Sequence, residues 1–429
     1  MKKLKGAFRK SSTVSIFQRR ELYSLLKNWH WGGFALAVSL TGCVDLTQRP
    51  LLIHAARVFD GHAIQKDVSV LIENGKVSKV DKPEKFTDTN AQLIELGDAT
   101  LLPGLIELHA HVNFHHISKD TILRHGITTL RDVGGNVAYP TGGEGELRFL
   151  TAGKIITVPN GYPINKHGET DIAISVTSDA QARQVVRDLV SSGASVIKVA
   201  LETGGEHGAP WSGEHHHSSS HDAKNQPEKH SSNEKSQAWA VLPEHTVKAI
   251  VDEAHKLKRK VTAHVGEARG VEISLNAGVD EWAHTPCEKI PDALLSRAIS
   301  QGVKMISTID TLSKCHGVAE NMRKWTAKGG TVLYGAEIAH PDIPYGIDAQ
   351  ELLYLQKYTQ LQPAEVLQLA TSKAGQYLEI PLLGTLQPEA PADLIAVKGN
   401  ALEDFKLLEY PDLVISGGKV VVNNVNQEH

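Results

Sequence analysis

The sequence predicts an α/β fold: a (β/α)8 TIM barrel with a small composite β-sandwich built from both terminal regions. Three observations predict it. Strand-like and helix-like segments alternate between about residues 100 and 380, β-rich texture recurs on either side of that stretch, and titratable side chains recur at the ends of successive strands. A chain of 429 residues is long enough for a full-size barrel and an accessory domain.

The first 42 residues read as a targeting segment. Residues 1–27 are rich in Lys and Arg, and Trp31–Leu40 is an apolar run too short to span a bilayer as a helix. Leu40-Thr-Gly-Cys43 resembles a bacterial lipobox, which implies cleavage before Cys43, lipidation of its thiol, and a lipid-anchored address in the cell envelope facing the periplasm. Arg19-Arg20 is a loose match to a twin-arginine export signal.

Residues 43–100 form the N-terminal part of the expected sandwich. Leu51–Phe59, Val68–Ile72 and Lys76–Val80 read as strands, the last two joined by Asn74-Gly75, a type I′ hairpin signal. Residues 381–429 repeat the texture in Ala392–Val397, Leu413–Ile415 and Lys419–Val422, with Gly417-Gly418 as the tight turn.

The barrel is assigned to residues 101–380. Its eight strands are Gly104–Ala110, Thr128–Asp132, Lys154–Thr157, Ser195–Ala200, Val261–His264, Glu281–His284, Val303–Thr308 and Thr331–Gly335. Helices lie between them, as the 3.6-residue spacing of Val247, Ile250, Val251, Ala254 and Leu257 indicates. An insertion at about 204–236 breaks the rhythm. It is polar, carries His207, His215, His216, His217, His221 and His230, and reads structurally as a solvated loop over the barrel mouth. Its composition also suits weak binding of divalent metal, as in a metal-loading loop.

Composition excludes some functions. A net charge of −4 leaves no basic footprint for nucleic acid. Three cysteines, Cys43, Cys287 and Cys315, are too few for a disulfide scaffold or a four-thiolate zinc site. Cys287 and Cys315 follow neighbouring strands six and seven, and an oxidising envelope permits a bond between them if their Cα atoms lie within about 7 Å.

The chemistry sits at strand ends. His109 and His111 close the first barrel strand, and positions i and i+2 of a strand share a face, so both imidazoles can converge on one metal. Lys198, His264, His284 and Glu337 stand at the corresponding ends of later strands. Each taken singly is as well explained by a hydrogen-bonded or surface role. Their recurrence at one end of five strands is what points to a site.

These residues lie in motifs that resemble the amidohydrolase superfamily, more narrowly its branch of metal-dependent dipeptidases and imidazolonepropionase-like hydrolases. The motifs are Leu102-Pro-Gly-Leu-Ile-Glu-Leu-His-Ala-His111, Gly126-Ile-Thr-Thr-Leu-Arg-Asp132, Ile197-Lys-Val199, Val261-Thr-Ala-His264, Trp282-Ala-His284, Tyr334-Gly-Ala-Glu337 and Pro391-Ala-Asp-Leu-Ile395. Together they cover roughly residues 50–422. The resemblance implies a distorted barrel with two divalent metal ions, zinc being the expected one. His109 and His111 would hold the more buried ion, His264 and His284 the second, and a carbamylated Lys198 would bridge them. Such a pair can share a water and lower its pKa. The acid at the end of strand eight would take a proton from that water and pass it to the leaving amine.

One position departs from the pattern. The family usually has Gly-Thr-Asp where this chain has Gly335-Ala-Glu337. The extra methylene displaces the carboxylate by about 1.5 Å, and misplacements near 1 Å can cost on the order of a hundredfold in rate. Arg131, Tyr162 and His340 are further candidates for contacting substrate, with an ion pair, a turn-packing role and an inert loop position as their respective alternatives.

The function expected from this reading is hydrolysis of an amide bond in a small peptide, with dipeptides the leading class. The alternatives are a cyclic amide hydrolase of imidazolonepropionase type and a non-catalytic zinc-binding lipoprotein, the latter motivated by the histidine-rich loop and by Glu337.

Overall fold

A computed structural model describes residues 49–87, 89–168, 170–212 and 238–425. The targeting segment, Cys43, and His215, His216, His217, His221 and His230 of the insertion lie outside the described residues. No described helix is long and apolar enough to cross a membrane.

The first strands are β1 (Leu51–Phe59), β2 (Ile64–Glu73), β3 (Lys76–Asp81), β4 (Gln92–Glu95) and β5 (Ala99–Pro103). The barrel region supplies β6 (Leu105–Ala110), β7 (Ile127–Asp132), β8 (Thr141–Gly143), β9 (Glu146–Thr151), β10 (Ile155–Thr157), β11 (Ala173–Ser175) and β12 (Val196–Ala200). It continues with β13 (Lys260–His264), β14 (Glu281–Trp282), β15 (Lys304–Ile306) and β16 (Thr331–Leu333). The C-terminal region ends the chain with β17 (Leu394–Lys398), β18 (Leu413–Ser416) and β19 (Lys419–Asn423).

Both terminal regions enter one sheet, ordered β19-β18-β17-β5-β1-β2-β3, with β4 paired to β1. The seam is antiparallel pairing of β17 with β5, Leu394 opposite Pro103 through Lys398 opposite Ala99. Alternation along β17 explains why this sheet is fixed to the rest. Leu394 and Ala396 pack into a cluster of the sheet's own with Ile53, Val70, Leu101 and Ile415. Ile395 and Val397 face the other way, into the main core. Terminal strands that looked like a two-sheet sandwich thus pair as a single eight-stranded sheet.

All eight expected barrel strands are present, divided between two sheets. One is β6-β7-β9-β8, and the other is β11-β10-β12-β13-β14-β15-β16. Pairing within the second is parallel throughout. The two sheets are joined in two places: Ser195 N, at the start of β12, donates to Thr151 O of β9 at 2.8 Å, and His111 N donates to Ile338 O at 2.9 Å beside an Ala110–Ile338 bridge. Sequence reading placed Lys154–Thr157 next to the second strand. In the structure the neighbour of β7 is β9, and β10 pairs instead with β11 and β12. The missed β9 carries the hydrophobic residues Leu147, Phe149 and Leu150 between glycine turns that hide it from a periodicity search.

Helices pack their apolar faces on the strands. The helix Glu244–Lys256 buries Val247, Ile250, Val251 and Ala254, as the spacing predicts. The helix Asp179–Ser191 starts at Ser178, whose hydroxyl accepts from Gln181 N at 3.2 Å, and it buries Ala182, Val185, Val186 and Leu189.

Candidate metal centre

Strand ends gather the titratable residues. His109 lies on β6 and His111 just past it, their Nε2 atoms 3.3 Å apart. Glu337, four residues beyond β16, places Oε1 3.9 Å from the Nε2 of each. Donor atoms about 2.1 Å from a tetrahedral ion stand about 3.4 Å from one another, so these three atoms have the spacing of ligands on one ion. Glu337 Oε2 is 3.7 Å from His284 Nδ1, and His109, His284 and Glu337 form a group able to hold a metal.

His264 ends β13, and His284 follows β14; their ring centroids are 4.6 Å apart. Lys198, in the middle of β12, is 1% exposed, and its Nζ is buried without a hydrogen-bond partner. A buried ammonium without partners is costly. Burial accordingly lowers the Lys198 pKa to about 7, although Glu337 opposes the shift. Burial also holds His109, His111 and His284 well below the usual imidazole range and His264 at about 3. Neutral imidazoles are the metal-binding form. His111 Nδ1 and Glu337 Oε2 are likewise buried without hydrogen-bond partners. The unpaired Glu337 Oε2, 3.7 Å from His284 Nδ1, fits a site for a cation.

Fixed hydrogen bonds set the orientation of these groups. His109 Nδ1 is 2.7 Å from Ala283 O, which selects the protonated Nδ1 and leaves Nε2 to face the other ligands. His284 Nδ1 lies 3.0 Å from Thr308 Oγ1. Beneath the site, Glu107 accepts from His109 N at 2.6 Å and from Ala336 N at 2.9 Å, tying β6 to the segment that carries Glu337. Burial raises the Glu107 pKa to about 8.

Other candidates have distinct settings. Arg131 was a candidate for contacting substrate, but its guanidinium is buried against Glu281, with bonds of 3.0 and 2.6 Å, and Nε donates to Leu108 O at 2.9 Å. It braces β6, β7 and β14. Tyr162 lies 4.7 Å from His264 between ring centroids and stacks on Trp239 at 5.9 Å. His340 is half-buried, 6.1 Å from Trp211 between centroids. His207 lies beside Cys287, which is joined to Cys315 in a disulfide with Cα atoms 4.9 Å apart.

Sequence reasoning missed Glu107, Glu202, Glu206 and Trp211. Glu202 could have been found, because it continues the alternation of Lys198 by four positions. Trp211 packs 5.3 Å from His264 and 5.5 Å from His284, between ring centroids.

The sequence profile of the amidohydrolase family matches residues 100–421. The chain belongs to the amidohydrolase family. This amidohydrolase is 26% identical over 309 residues to the ochratoxinase of Aspergillus niger, covering 67% of the chain but 58% of that relative. An uncharacterised protein of Mycobacterium tuberculosis is 27% identical over 193 residues, 40% of this chain and 50% of that protein. A crystal structure of a Xaa-Pro dipeptidase with methionine in its active site superposes with a TM-score of 0.67 at 22% identity, over 86% of this chain and 99% of that one. The crystal structure of the A. niger ochratoxinase superposes with a TM-score of 0.67 at 19% identity, over 87% and 96%. These likenesses establish the α/β fold of the family.

Proposed function

We propose that this amidohydrolase cleaves an amide bond in a small peptide, with dipeptides the leading substrate class, at a centre of two divalent ions, zinc being the expected metal. The observation that carries the reading is the triangle of His109, His111 and Glu337 donors beside the buried, unpaired amine of Lys198. His109 and His111, with Glu337 in reach, would hold one ion and His264 and His284 the other, with Lys198 serving both. Its amine, brought by burial to a pKa of about 7 and so partly neutral there, would add to carbon dioxide with release of a proton, giving an anionic carbamate able to help hold cations. Bound there, the cations supply positive charge that acidifies water and polarises the scissile carbonyl. Glu337 would accept the proton of the attacking water and return it to the leaving amine.

Supporting the peptide reading, Xaa-Pro dipeptidase and ochratoxinase are among the proteins with this fold. We take the two barrel-region sheets to close into one distorted cylinder through the Thr151–Ser195 and His111–Ile338 hydrogen bonds, with the terminal sheet as its sandwich-like accessory. Tyr162 and Trp211 would line the substrate pocket. Cys43 would anchor the chain in the envelope, which labelling with a radioactive fatty acid, absent in Cys43→Ala, would reveal.

The test is a dipeptide library assayed on the full chain loaded with zinc in bicarbonate buffer, beside lactams and cyclic imides. Hydrolysis of dipeptides supports the reading, preference for cyclic amides transfers it to the imidazolonepropionase type, and no turnover with metal firmly held indicates a zinc-binding protein.

A further inference from the structure

The segment after β12 brings two carboxylates against His264. Glu202 and Glu206 are 1% and 2% exposed. Glu206 Oε2 lies 3.0 Å from His264 Nε2, and Glu202 Oε2 lies 3.9 Å from the same nitrogen. These separations straddle the spacing of about 3.4 Å expected between ligands of one tetrahedral ion. The three side chains form a group able to hold a metal, separate from the group of His109, His284 and Glu337.

Two of the four carboxylate oxygens, Glu202 Oε2 and Glu206 Oε1, are buried and have no hydrogen-bond partner. The other two are fixed. Glu202 Oε1 accepts from Gly204 N and from Gly205 N, the latter at 3.0 Å, and Glu206 Oε2 accepts from Trp211 Nε1. Among the described residues, His264 Nε2 lies 3.9 and 3.0 Å from Glu202 and Glu206, and neither acid pairs with lysine or arginine. Space for Glu206 exists only because residue 266 is glycine; a Cβ there would overlap the carboxylate. A buried pocket that aims uncompensated acids at an imidazole lacks a positive charge.

We propose that Glu206, with Glu202 beside it, ligates the cation at His264. The inference rests on the two-metal reading and adds to it an anionic arm from the segment after β12. That arm adds protein carboxylates to the ligands of the second ion. A carboxylate-rich set favours hard to borderline divalent ions such as zinc, manganese or cobalt.

The experiment strips the purified full chain with chelator and titrates zinc into wild type, Glu206→Gln and Glu202→Gln. Thermal unfolding checks that each variant is folded. Wild type is expected to bind two equivalents, and Glu206→Gln to hold one of them more than about a hundredfold more weakly, beyond what loss of an outer-shell partner gives. Glu202→Gln is expected to have a smaller effect. The cobalt-substituted wild type, whose visible absorption reports coordination, is expected to change on Glu206→Gln, which keeps the assay decisive should zinc affinities be too high to separate. Two equivalents bound equally tightly by wild type and Glu206→Gln, with unchanged cobalt spectra, would overturn the inference alone. Fewer than two equivalents in wild type would overturn it together with the two-metal reading.

Discussion

Glu337 brings Oε1 to 3.9 Å from His109 Nε2 although its side chain is one methylene longer than the aspartate usual at this place in the family pattern. Its backbone accommodates the length. Glu337 has φ 65° and Ala339 φ 102°, a left-handed turn held by Thr308 N donating to Gly335 O at 2.8 Å and His111 N donating to Ile338 O at 2.9 Å. Left-handed conformations cost a non-glycine residue about 1 kcal/mol or more, and such strain is common where a functional side chain must be aimed.

A site shaped around glutamate should not accept aspartate. Glu337→Asp is expected to lose about a hundredfold in kcat/KM, and Glu337→Gln between about a hundredfold and ten-thousandfold in kcat. Steady-state kinetics on a cleaved dipeptide checks both. Full activity in Glu337→Asp would show that the carboxylate is not positioned by the turn.

The Arg131–Glu281 pair is buried at both ends, with side chains 3% and 0% exposed. Removing one partner strands the other charge. Arg131→Met is expected to destabilise the fold by about 3–5 kcal/mol, and Arg131→Met/Glu281→Leu by clearly less. Chemical denaturation of the two variants measures the difference; equal losses would argue against a bracing role.

The Cys287–Cys315 disulfide closes a loop across a sequence separation of 28 residues, and constraint of the unfolded chain by a loop of that size is worth about 3–4 kcal/mol. Cys287→Ala/Cys315→Ala is therefore expected to unfold at a lower temperature than the oxidised wild type and at the same temperature with or without reductant. A reductant-dependent melting point in the variant would contradict this.

Asp348 caps the helix Ala349–Thr359, accepting from Gln350 N at 2.9 Å, while burial, then the charge of Asp310, raises its pKa to about 7. The folded state thus holds this proton more tightly than the unfolded chain does. Its stabilising contribution is complete below about pH 3.8 and is lost as pH rises through about 7. Asn keeps the cap and does not titrate. Thermal melts should show Asp348→Asn gaining stability relative to wild type from pH 5 to pH 8; a constant difference would exclude Asp348 as the titrating group.

Legibility followed locality. His109, His111, His264, His284 and Glu337 could be read because each sits at or near the end of an apolar strand, and Lys198, expected at a strand end, because it lies within one, where alternation fixes the face. Eight barrel strands were legible for the same reason. β9 was not, because two glycine-rich turns shorten its pattern, and β11 was not, at three residues. The role of Arg131 depended on Glu281, 150 positions away, a pairing no local pattern encodes. Glu206 was hidden because the polar insertion beginning near Gly204 looked uniformly solvated, whereas its first residues fold back onto His264.

Lys198 carries the account, and metal content measured alongside dipeptide hydrolysis in Lys198→Ala tests it most directly. The account predicts about two zinc ions per chain in wild type, a fall to one or fewer in the variant, and loss of hydrolysis. Two ions and undiminished hydrolysis in Lys198→Ala would contradict it.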